Sequence, residues 1–409
     1  MATDQPRFGF GLLWAGQATS QLGDYVSIFA IPYYVLTFSQ NPLHFGLVHG
    51  AQDIPLIVFG LFSGVLLDRW SRRGWLLWAN LVQALVFAAL ALVALDLLPG
   101  GLWVLVSLAF VVGAMTTAVQ SALYAYVPRL VAPAGLARAN ARLSVSGQTA
   151  FIAGPILGGL LVEWAGFPTA FSFIAFSYLV SGATVLLLPV DHPGGGEHGG
   201  SLLADAIAGL RFIWRDHRLR LASLGASASN VVSAFMVAII PLLATNELGS
   251  GEPVAMSVIY AAFGVGGVVG AATGGWAITR FGLGPVFVAG LVVWGLGFST
   301  TTYLHSRTAI LVLFALTGFG LPWVQISFST LRQKVTPEPM LGRVMAGTRA
   351  VVNAAYPIGA VGLTALAAVT GILPISRIVP VLLVAVAVGL ALGPLGRVGA
   401  EPVPLEATI

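Results

Sequence analysis

Charged side chains are scarce in this chain of 409 residues. Asp, Glu, Lys and Arg make up only 8% of the sequence, whereas 57% of the residues are hydrophobic. A water-soluble domain needs a polar surface, so this composition excludes an ordinary soluble protein and indicates a chain embedded in a membrane. Cysteine is absent, which excludes disulfide bonds and thiolate metal sites.

The hydrophobic residues form blocks long enough to cross the roughly 30 Å hydrocarbon core of a bilayer as helices. These blocks lack the alternation of polar and apolar residues that is typical of a membrane barrel, so helices are favoured. The sequence predicts an all-α membrane protein whose first block is a spanning helix and not a cleaved signal peptide. Twelve transmembrane helices are predicted, at 10–38, 43–67, 74–98, 102–127, 143–165, 168–190, 221–245, 254–279, 284–304, 308–330, 343–370 and 374–395.

Basic residues indicate the orientation of these spans. If the N-terminus is cytoplasmic, all 19 lysines and arginines except Arg307 and Arg377 fall on the cytoplasmic side or in adjoining helix ends. This bias predicts a multi-pass protein of the bacterial cytoplasmic (inner) membrane with both termini in the cytoplasm. The net charge of +4 therefore reflects topology, and no nucleic-acid partner is expected.

A polar interruption at 191–220 divides the chain. It begins with "DHPGGGEHGG", which predicts a flexible linker in which His192 and His198 are not expected to bind a metal. The following "SLLADAIAGLRFIWRDHRLR" predicts an amphipathic helix, which either lies on the inner membrane surface or packs against cytoplasmic loops. Its apolar residues are expected to lie opposite its arginines: Leu203, Ile207, Leu210 and Trp214 against Arg211, Arg215 and Arg218.

The two halves of the chain resemble each other. "GAMTTAVQSALYAYVPRLVAPAGLAR", from Gly113, aligns with "GFGLPWVQISFSTLRQKVTPEPMLGR", from Gly318, at an offset of 205 residues. "SQLGDYVSIFAIP" similarly aligns with "SNVVSAFMVAIIP". A six-helix unit is therefore predicted twice, as bundles 1–190 and 221–409 joined by the cytoplasmic linker. Two such units can rock about a central cavity, which is the physical basis of alternating access.

"GVLLDRWSRR", between the second and third predicted spans, resembles the cytoplasmic signature of the major facilitator superfamily, G-x-x-x-D-R-x-G-R-R. The matching residues are Gly64, Asp68, Arg69, Arg72 and Arg73. Ser71 stands where the family usually has glycine. The resemblance covers the whole chain, because this family is built from twelve helices in two pseudo-symmetric six-helix bundles with a long central loop.

Two further stretches resemble parts of this family. "GPILGG" in the fifth predicted span is similar to the G-P-x-x-G-G element associated with exporters, and it also suits close helix packing. The matching residues are Gly154, Pro155, Gly158 and Gly159. "VPRLVAPAGLARANAR" (127–142) resembles the loop between spans four and five in the branch that contains macrolide-efflux proteins and the enterobactin exporter.

Asp68 is predicted to form an inner gate. It lies at the inner end of the second span, where it can meet the positive end of the eleventh span near Leu341–Met345, while Arg72 or Arg73 neutralises its other side. Gly64, one turn earlier, lets the second span approach a neighbour closely. The alternative, a solvated cluster that ends a span, explains the arginines but not the acid.

The central cavity is expected to be lined mainly by spans one, four, seven and ten. The candidates at membrane depth are Gln21, Gln120, Tyr124, Asn230, Trp323, Gln325, Asn353 and Tyr356. Gln120 and Gln325 have the best claim, because they occupy equivalent positions in the two halves. For each candidate the alternative is an interhelical hydrogen bond. No basic residue lies near mid-depth, so a neutral or cationic amphipathic substrate is expected.

Asp24 and Asp53 are the candidates for proton coupling. Counted from the cytoplasmic edge at Phe10 or Leu67, each lies 14 residues into its span, or about 21 Å. An ionised carboxylate there costs roughly 2.5–3.5 kcal/mol, so the neutral form is favoured and a proton can be carried. Asp24 is preferred because the first span should line the cavity. Alternatively, Asp24 caps a bend and Asp53 faces water.

The sequence therefore predicts a secondary active transporter, a proton-coupled exporter of a drug or siderophore-like small molecule. A proton-coupled importer of a small nutrient is the alternative on the same fold. A membrane-embedded enzyme is disfavoured, because the sequence has no HExxH, GxSxG or phosphate-binding loop. No cofactor, catalytic residue or metal site is expected. The expected partners are the substrate, protons and the lipid bilayer, and a monomer suffices for this mechanism.

We expect Asp68→Asn to lower the transport rate while the amount of protein in the membrane stays near normal. An amide binds the positive end of a helix less strongly than a carboxylate, so the inner gate would close less firmly. Export of a fluorescent drug, compared with the amount of protein in isolated membranes, measures the effect. Undiminished export by this variant would rule out the gating contact.

Overall fold

The computed structural model of the protein describes residues 5–69, 71–132, 135–189, 202–246, 253–301, 303, 306–337 and 340–398. These residues form helices joined by short connections. The helices are α1 (Gln5–Leu36), α2 (Pro42–Arg69), α3 (Arg72–Ala94), α4 (Leu102–Leu130), α5 and α6 (the parts of Leu136–Leu186 before and after Gly166), α7 (Leu202–Arg215), α8 (His217–Asn246), α9 (Pro253–Phe281), α10 (Leu283–Thr301), α11 (Arg307–Val335), α12 (Leu341–Pro357, continued through Ile358–Leu363 and Thr364–Thr370) and α13 (Ile372–Leu392).

The helices coincide with the predicted spans. Each of the twelve predicted blocks overlaps one helix, α1–α6 in the first half and α8–α13 in the second. Among the described residues, seven helical stretches meet the length and composition needed to cross a bilayer: Arg72–Ala94, Leu102–Leu130, Arg138–Leu186, Met256–Phe281, Arg307–Val335, Arg343–Thr370 and Ile372–Leu392. The fold is an all-α membrane fold, and its helices are consistent with twelve spans.

Gly166 separates α5 from α6. Its φ of 76° and ψ of 175° lie in a region that favours glycine, because a side chain would be strained there. Pro168 follows within the first turn of α6, where its missing N–H is harmless. The break that the sequence predicts between the fifth and sixth spans is therefore made by a glycine turn.

The connection between α4 and α5 is shorter than expected. The resemblance predicts a loop at 127–142, but α4 continues to Leu130 and α5 begins at Leu136. Ala139 is 2% exposed and belongs to a buried cluster with Tyr126 and Val185. Burial of this apolar face favours continued helix over loop, so the expected loop is largely wrong.

The short helix α7 packs on α12. A Cβ at Gly209 would lie 2.3 Å from the Arg343 carbonyl oxygen, and Ile213 is 1% exposed. Ile207 and Trp214 are 46% and 48% exposed. The expectation that they lie opposite Arg211 is wrong, because the spacing i, i+4, i+7 places Ile207, Arg211 and Trp214 on one helix face. The predicted start of this helix at Ser201 and the Gly-rich 191–200 lie outside the described residues.

Two matched glycines support the internal duplication. A Cβ at Gly113 in α4 would lie 1.9 Å from the Gln52 carbonyl oxygen in α2. A Cβ at Gly318 in α11 would lie 1.9 Å from the Phe263 carbonyl oxygen in α9. Because α2 and α9 are the second spans of their halves, the aligned glycines permit the same backbone contact in both.

The described residues divide into two compact units. Unit 1 takes those of Met1–Gln40, Leu47–His198 and Ser250–Ala261, and unit 2 takes those of Asn41–Gly46, Gly199–Gly249 and Ala262–Ile409. Each unit therefore includes the start of one helix from the other half of the sequence. The start of α9 belongs to unit 1 and the start of α2 belongs to unit 2.

We expect Gly113→Ala and Gly318→Ala each to lower the free energy of unfolding by about 1–3 kcal/mol, because a methyl group would force the paired backbones apart. Gly275→Ala is the matched control. Nothing lies within 4 Å of its Cβ position, so it should be neutral or stabilise α9 by about 0.5–1 kcal/mol. Thermal unfolding of the purified protein in detergent checks this. Equal melting temperatures for all three variants would contradict the close contacts.

Candidate functional site

Unit 1 contains a cavity of about 430 Å³ with a wall rich in carboxamide and hydroxyl groups. Five helices contribute to it. Its polar wall residues are Gln17, Ser20, Gln21, Asp24 and Tyr25 of α1, Asn80 and Gln83 of α3, Thr116 and Gln120 of α4, Asn140, Ser144 and Gln148 of α5, and Tyr178 of α6. Asp24 is the single carboxylate in this wall, and none of the lining residues is Lys, Arg or His.

Helix α1 presents one polar face to the cavity. Gln17, Gln21 and Asp24 follow one another at spacings of four and three residues, so they lie on the same side of the helix. Gln17 is 3% exposed, and Ser20 between them is 4% exposed. A polar residue that faced lipid would lose its hydrogen-bonding partners, so this pattern turns the face inward.

Asp24 is joined to three other helices by hydrogen bonds. The Tyr178 hydroxyl of α6 donates to Asp24 Oδ1. Gln83 Nε2 of α3 donates to the Tyr178 oxygen at 3.3 Å and to Thr116 Oγ1 of α4 at 3.0 Å. An ionised acceptor forms a stronger hydrogen bond than a neutral one, so the strength of this connection depends on whether Asp24 carries a proton.

The ring of Tyr178 is fixed independently of its hydroxyl. It stacks on Phe87 with ring centroids 5.7 Å apart and an interplanar angle of 22°. Tyr178 is 2% exposed and Gln83 is 1% exposed. The hydroxyl is therefore held towards Asp24 by packing, which makes the hydrogen-bond network a preorganised feature of the cavity wall.

Three buried polar atoms of cavity-lining residues have no hydrogen-bond partner in the described structure. They are Gln17 Nε2, Asn80 Oδ1 and Gln83 Oε1. A buried polar atom without a partner costs about 1–3 kcal/mol. Unsatisfied polar groups beside a cavity are typical of a site that takes up a polar ligand or water.

The other predicted proton carrier, Asp53, has different surroundings. It is not among the residues that line this cavity. Its Oδ2 lies 4.0 Å from His49 Nε2, one turn earlier in α2. The two acids thus lie in different environments, Asp24 in a polar cavity wall and Asp53 beside an imidazole.

The inner-gate motif is described in part. Arg73 Nε and Nη2 donate to the carbonyl oxygens of Val185 and Leu186, at 3.1 and 2.6 Å. The guanidinium thus adds donors at the C-terminal end of α6, where the last carbonyls lack the regular helical partner four residues on. Ser71 begins α3, and its Oγ accepts from the Gly74 N–H at 3.1 Å. Serine in place of the usual glycine therefore supplies a helix cap.

The structure describes less of the other residues in this motif. Arg72 is 9% exposed in the first turn of α3. Gly64, Asp68 and Arg69 belong to α2, but their side-chain positions lie outside the described part of the structure. The gating contact of Asp68 stays a prediction.

The "GPILGG" residues of α5 pack against α1 and the start of α9. A Cβ at Gly154 would lie 2.4 Å from Tyr25 Cβ, and a Cβ at Gly158 would lie 3.2 Å from the Val26 carbonyl oxygen. A Cβ at Gly159 would lie 2.7 Å from Ser257 Oγ. Pro155 is buried between them. The motif therefore allows α5 to approach the segment of α1 that carries Asp24.

Of the eight predicted cavity residues, the structure brings two into this wall. Gln21 and Gln120 line the cavity, and Gln21 Oε1 accepts from Ser146 Oγ at 3.2 Å. Tyr124 lies in α4, with its side-chain position outside the described residues.

The remaining candidates lie in unit 2, and two of them make interhelical hydrogen bonds. Asn230 Nδ2 donates to the Val352 carbonyl oxygen at 2.9 Å, and Trp323 Nε1 donates to Thr273 Oγ1 at 3.1 Å. Asn230 and Trp323 therefore fit the alternative expectation for these candidates, an interhelical hydrogen bond. The others are the exposed Gln325 and the partly buried Asn353 and Tyr356.

Sequence reasoning missed most of this wall. Asn80 and Gln83 could have been found, because two carboxamides three residues apart inside an apolar span mark one inward face. Tyr178 lies in "FSFIAFSYLV", where aromatic and small residues give no sign of a special position. Its role depends on which helix α6 packs against, and that is a property of the tertiary structure.

Comparison with known proteins adds independent findings. Residues 7–402 match the model of a major facilitator family described as transmembrane secretion effector. The chain is 25% identical to the multidrug efflux pump Tap of Mycolicibacterium fortuitum, over 83% of this chain and 85% of that protein. It is 23% identical to macrolide efflux protein A of Streptococcus pyogenes, over 86% and 87%. The crystal structure of the nucleoside transporter NupG superimposes with a TM-score of 0.76 at 13% identity, covering 93% and 98% of the two chains.

We expect Tyr178→Phe to lower the free energy of unfolding by about 1–3 kcal/mol, because Asp24 Oδ1 loses its donor and Gln83 Nε2 keeps only its hydrogen bond to Thr116. In the double variant with Asp24→Asn the two losses should be non-additive by about 0.5–3 kcal/mol. Tyr126→Phe is the matched control, since the Tyr126 hydroxyl donates to the Pro189 carbonyl oxygen at 2.7 Å and not to Asp24. The stability lost in Tyr126→Phe should therefore add to the stability lost in Asp24→Asn. Thermal unfolding of the three single and two double variants measures the coupling, and simple additivity for Tyr178 would contradict the hydrogen bond.

Proposed function

The chain belongs to the transmembrane secretion effector family of the major facilitator superfamily, and from this premise we propose that it exports drug-like small molecules in exchange for protons. As a member of this family it is a multi-pass membrane transporter and not an enzyme, which removes the alternative of a membrane-embedded enzyme. We place it in the bacterial cytoplasmic membrane with both termini in the cytoplasm, on the strength of its positive-inside bias.

The direction and the substrate class of this proposal rest on its relatives. Proteins that match over more than four fifths of the chain are named as multidrug or macrolide efflux pumps. These names favour export over import and favour a drug over a siderophore-like compound. The cavity wall agrees with this choice, because one carboxylate and many carboxamides suit a neutral or cationic compound better than an anion.

Proton coupling rests on one observation, the hydrogen bond between Tyr178 and Asp24 in a cavity wall without a basic residue. A cationic substrate and a proton both neutralise a carboxylate, so each can displace the other from Asp24. Exchange of the two at one group links substrate release to proton uptake. Because Asp24 also joins α1 to α6, α3 and α4, its charge state changes a connection among four helices.

We expect Asp24→Asn to abolish pH-driven transport while the variant still binds substrate, more weakly than the natural sequence. An amide keeps the shape and the hydrogen-bonding capacity of the carboxyl group, but it carries neither a proton nor the charge that attracts a cationic substrate. Inverted membrane vesicles with an acidic interior measure this as accumulation of a radiolabelled macrolide. Binding to the purified variant is measured separately. Asp53→Asn is the matched control, because it removes a carboxylate that does not line the cavity, and it should accumulate the macrolide nearly as the natural sequence does.

Two results would overturn parts of this proposal. Normal pH-driven accumulation by Asp24→Asn would place the proton carrier elsewhere and make Asp53→Asn the informative variant. Cells that contain the protein and accumulate more of its substrate, against a gradient, would show import and not export.

A further inference from the structure

Helix α7 carries a surface that the fold leaves exposed. Ile207, Arg211, Trp214 and Arg215 are all exposed. On the opposite side, Gly209 packs against Arg343 and Val344 of α12, and the buried Ile213 lies against Gly347 of the same helix. The exposed face therefore combines an aliphatic side chain, an indole and two guanidinium groups. The part of α7 whose side chains are described, 207–215, contains no acidic residue.

The height of this face relative to the bilayer follows from its neighbour. Only Asp216 separates α7 from α8, and the predicted span in α8 begins at 221. Helix α8 begins at His217, four residues or about 6 Å along the helix before that point. The polar interfacial layer on each side of a bilayer is about 5–8 Å thick. The C-terminal end of α7 therefore lies at the level of the lipid headgroups.

The junction between the two helices is held by hydrogen bonds. Asp216 Oδ1 accepts from the Leu219 N–H at 2.8 Å, which caps α8. Arg220 Nη1 donates to the Trp214 carbonyl oxygen at 3.3 Å at the end of α7. With Gly209 against α12, these contacts fix which face of α7 is exposed.

We propose that the exposed face of α7 is a binding surface for anionic lipid headgroups on the cytoplasmic side of the membrane. Trp214 and Ile207 occupy the boundary between headgroups and acyl chains, where an indole is favoured. Arg211 and Arg215 bind lipid phosphates, because a guanidinium pairs with phosphate oxygens through two parallel hydrogen bonds. The contact of α7 with α12 makes the position of α12 sensitive to the lipid.

The first test measures depth. The chain contains no cysteine, so Ile207→Cys gives a single spin-labelling site. The measured quantity is the rate at which the label collides with molecular oxygen, divided by the rate at which it collides with a water-soluble nickel chelate. In vesicles of equal parts phosphatidylcholine and phosphatidylglycerol, we expect this ratio to be several-fold higher at Ile207→Cys than at Ala132→Cys. Ala132 lies exposed in the connection after α4. Leu224→Cys, at a 46% exposed position of α8, marks the bilayer interior.

The second test measures charge recognition with the same label. Half of the labels at Ile207→Cys enter the lipid at some fraction of phosphatidylglycerol in the vesicles. Arg211→Gln and Arg215→Gln should each raise that fraction about fivefold. Arg138→Gln, an exposed arginine at the start of α5, should leave it unchanged. Inorganic phosphate, added in place of phosphatidylglycerol at the same concentration, should leave the label in water.

Three outcomes overturn the proposal. A label at Ile207→Cys with the water accessibility of Ala132→Cys means that the face does not meet lipid. Equal immersion in phosphatidylcholine alone means that the arginines do not recognise anionic headgroups. Immersion that requires added membrane extract, and not lipid alone, means that the face binds another protein.

Discussion

One half-buried carboxylate organises the first unit of this transporter. Asp24 lies in α1, which the sequence predicts to span the membrane, and an ionised side chain is costly there unless other groups stabilise it. Its hydrogen bond with Tyr178 brings a phenol from α6, and Gln83 extends the connection to α3 and α4. The cavity wall is therefore polar because a set of inward-facing carboxamides and hydroxyls replaces the water that the acid would otherwise need.

Glycine packing places this carboxylate. In a bilayer, helices associate through close contact, since lipid is as apolar as the helix surface and gives no hydrophobic driving force. Gly154 and Gly158 let α5 approach Tyr25 and Val26, which directly follow Asp24 in the sequence. A motif associated with exporters thus contributes here by positioning α1, and the same atoms serve packing and function. The functional interpretation and the packing interpretation of "GPILGG" do not exclude each other.

Much of the fold could be predicted, because hydrophobic length and helical spacing act locally. The hydrophobic blocks predicted the positions of the helices. The alignment of Gly113 with Gly318 predicted a repeat, and both copies make the same backbone contact. The predictions were wrong where the burial of a segment differs from what its polarity suggests. The stretch 127–142 looks polar enough for a loop, yet Ala139 and its neighbours pack into the core. In α7, Ile207 and Trp214 of the expected apolar face are exposed, because Gly209 on the opposite side permits a closer contact with α12 than a larger side chain would.

The sequence alone determined the membrane environment, the helical class, the family resemblance and the choice of Asp24. Each follows from composition, from periodicity or from residues close together in the chain. The tertiary structure decided which groups surround Asp24, since Tyr178 and Gln83 lie far from it in sequence and face it only when α6 and α3 pack beside α1. It also gave Asn230 and Trp323 interhelical partners. A side chain's hydrogen-bond partner is a matter of distance in space, and in a helical membrane protein that distance is set by packing between helices.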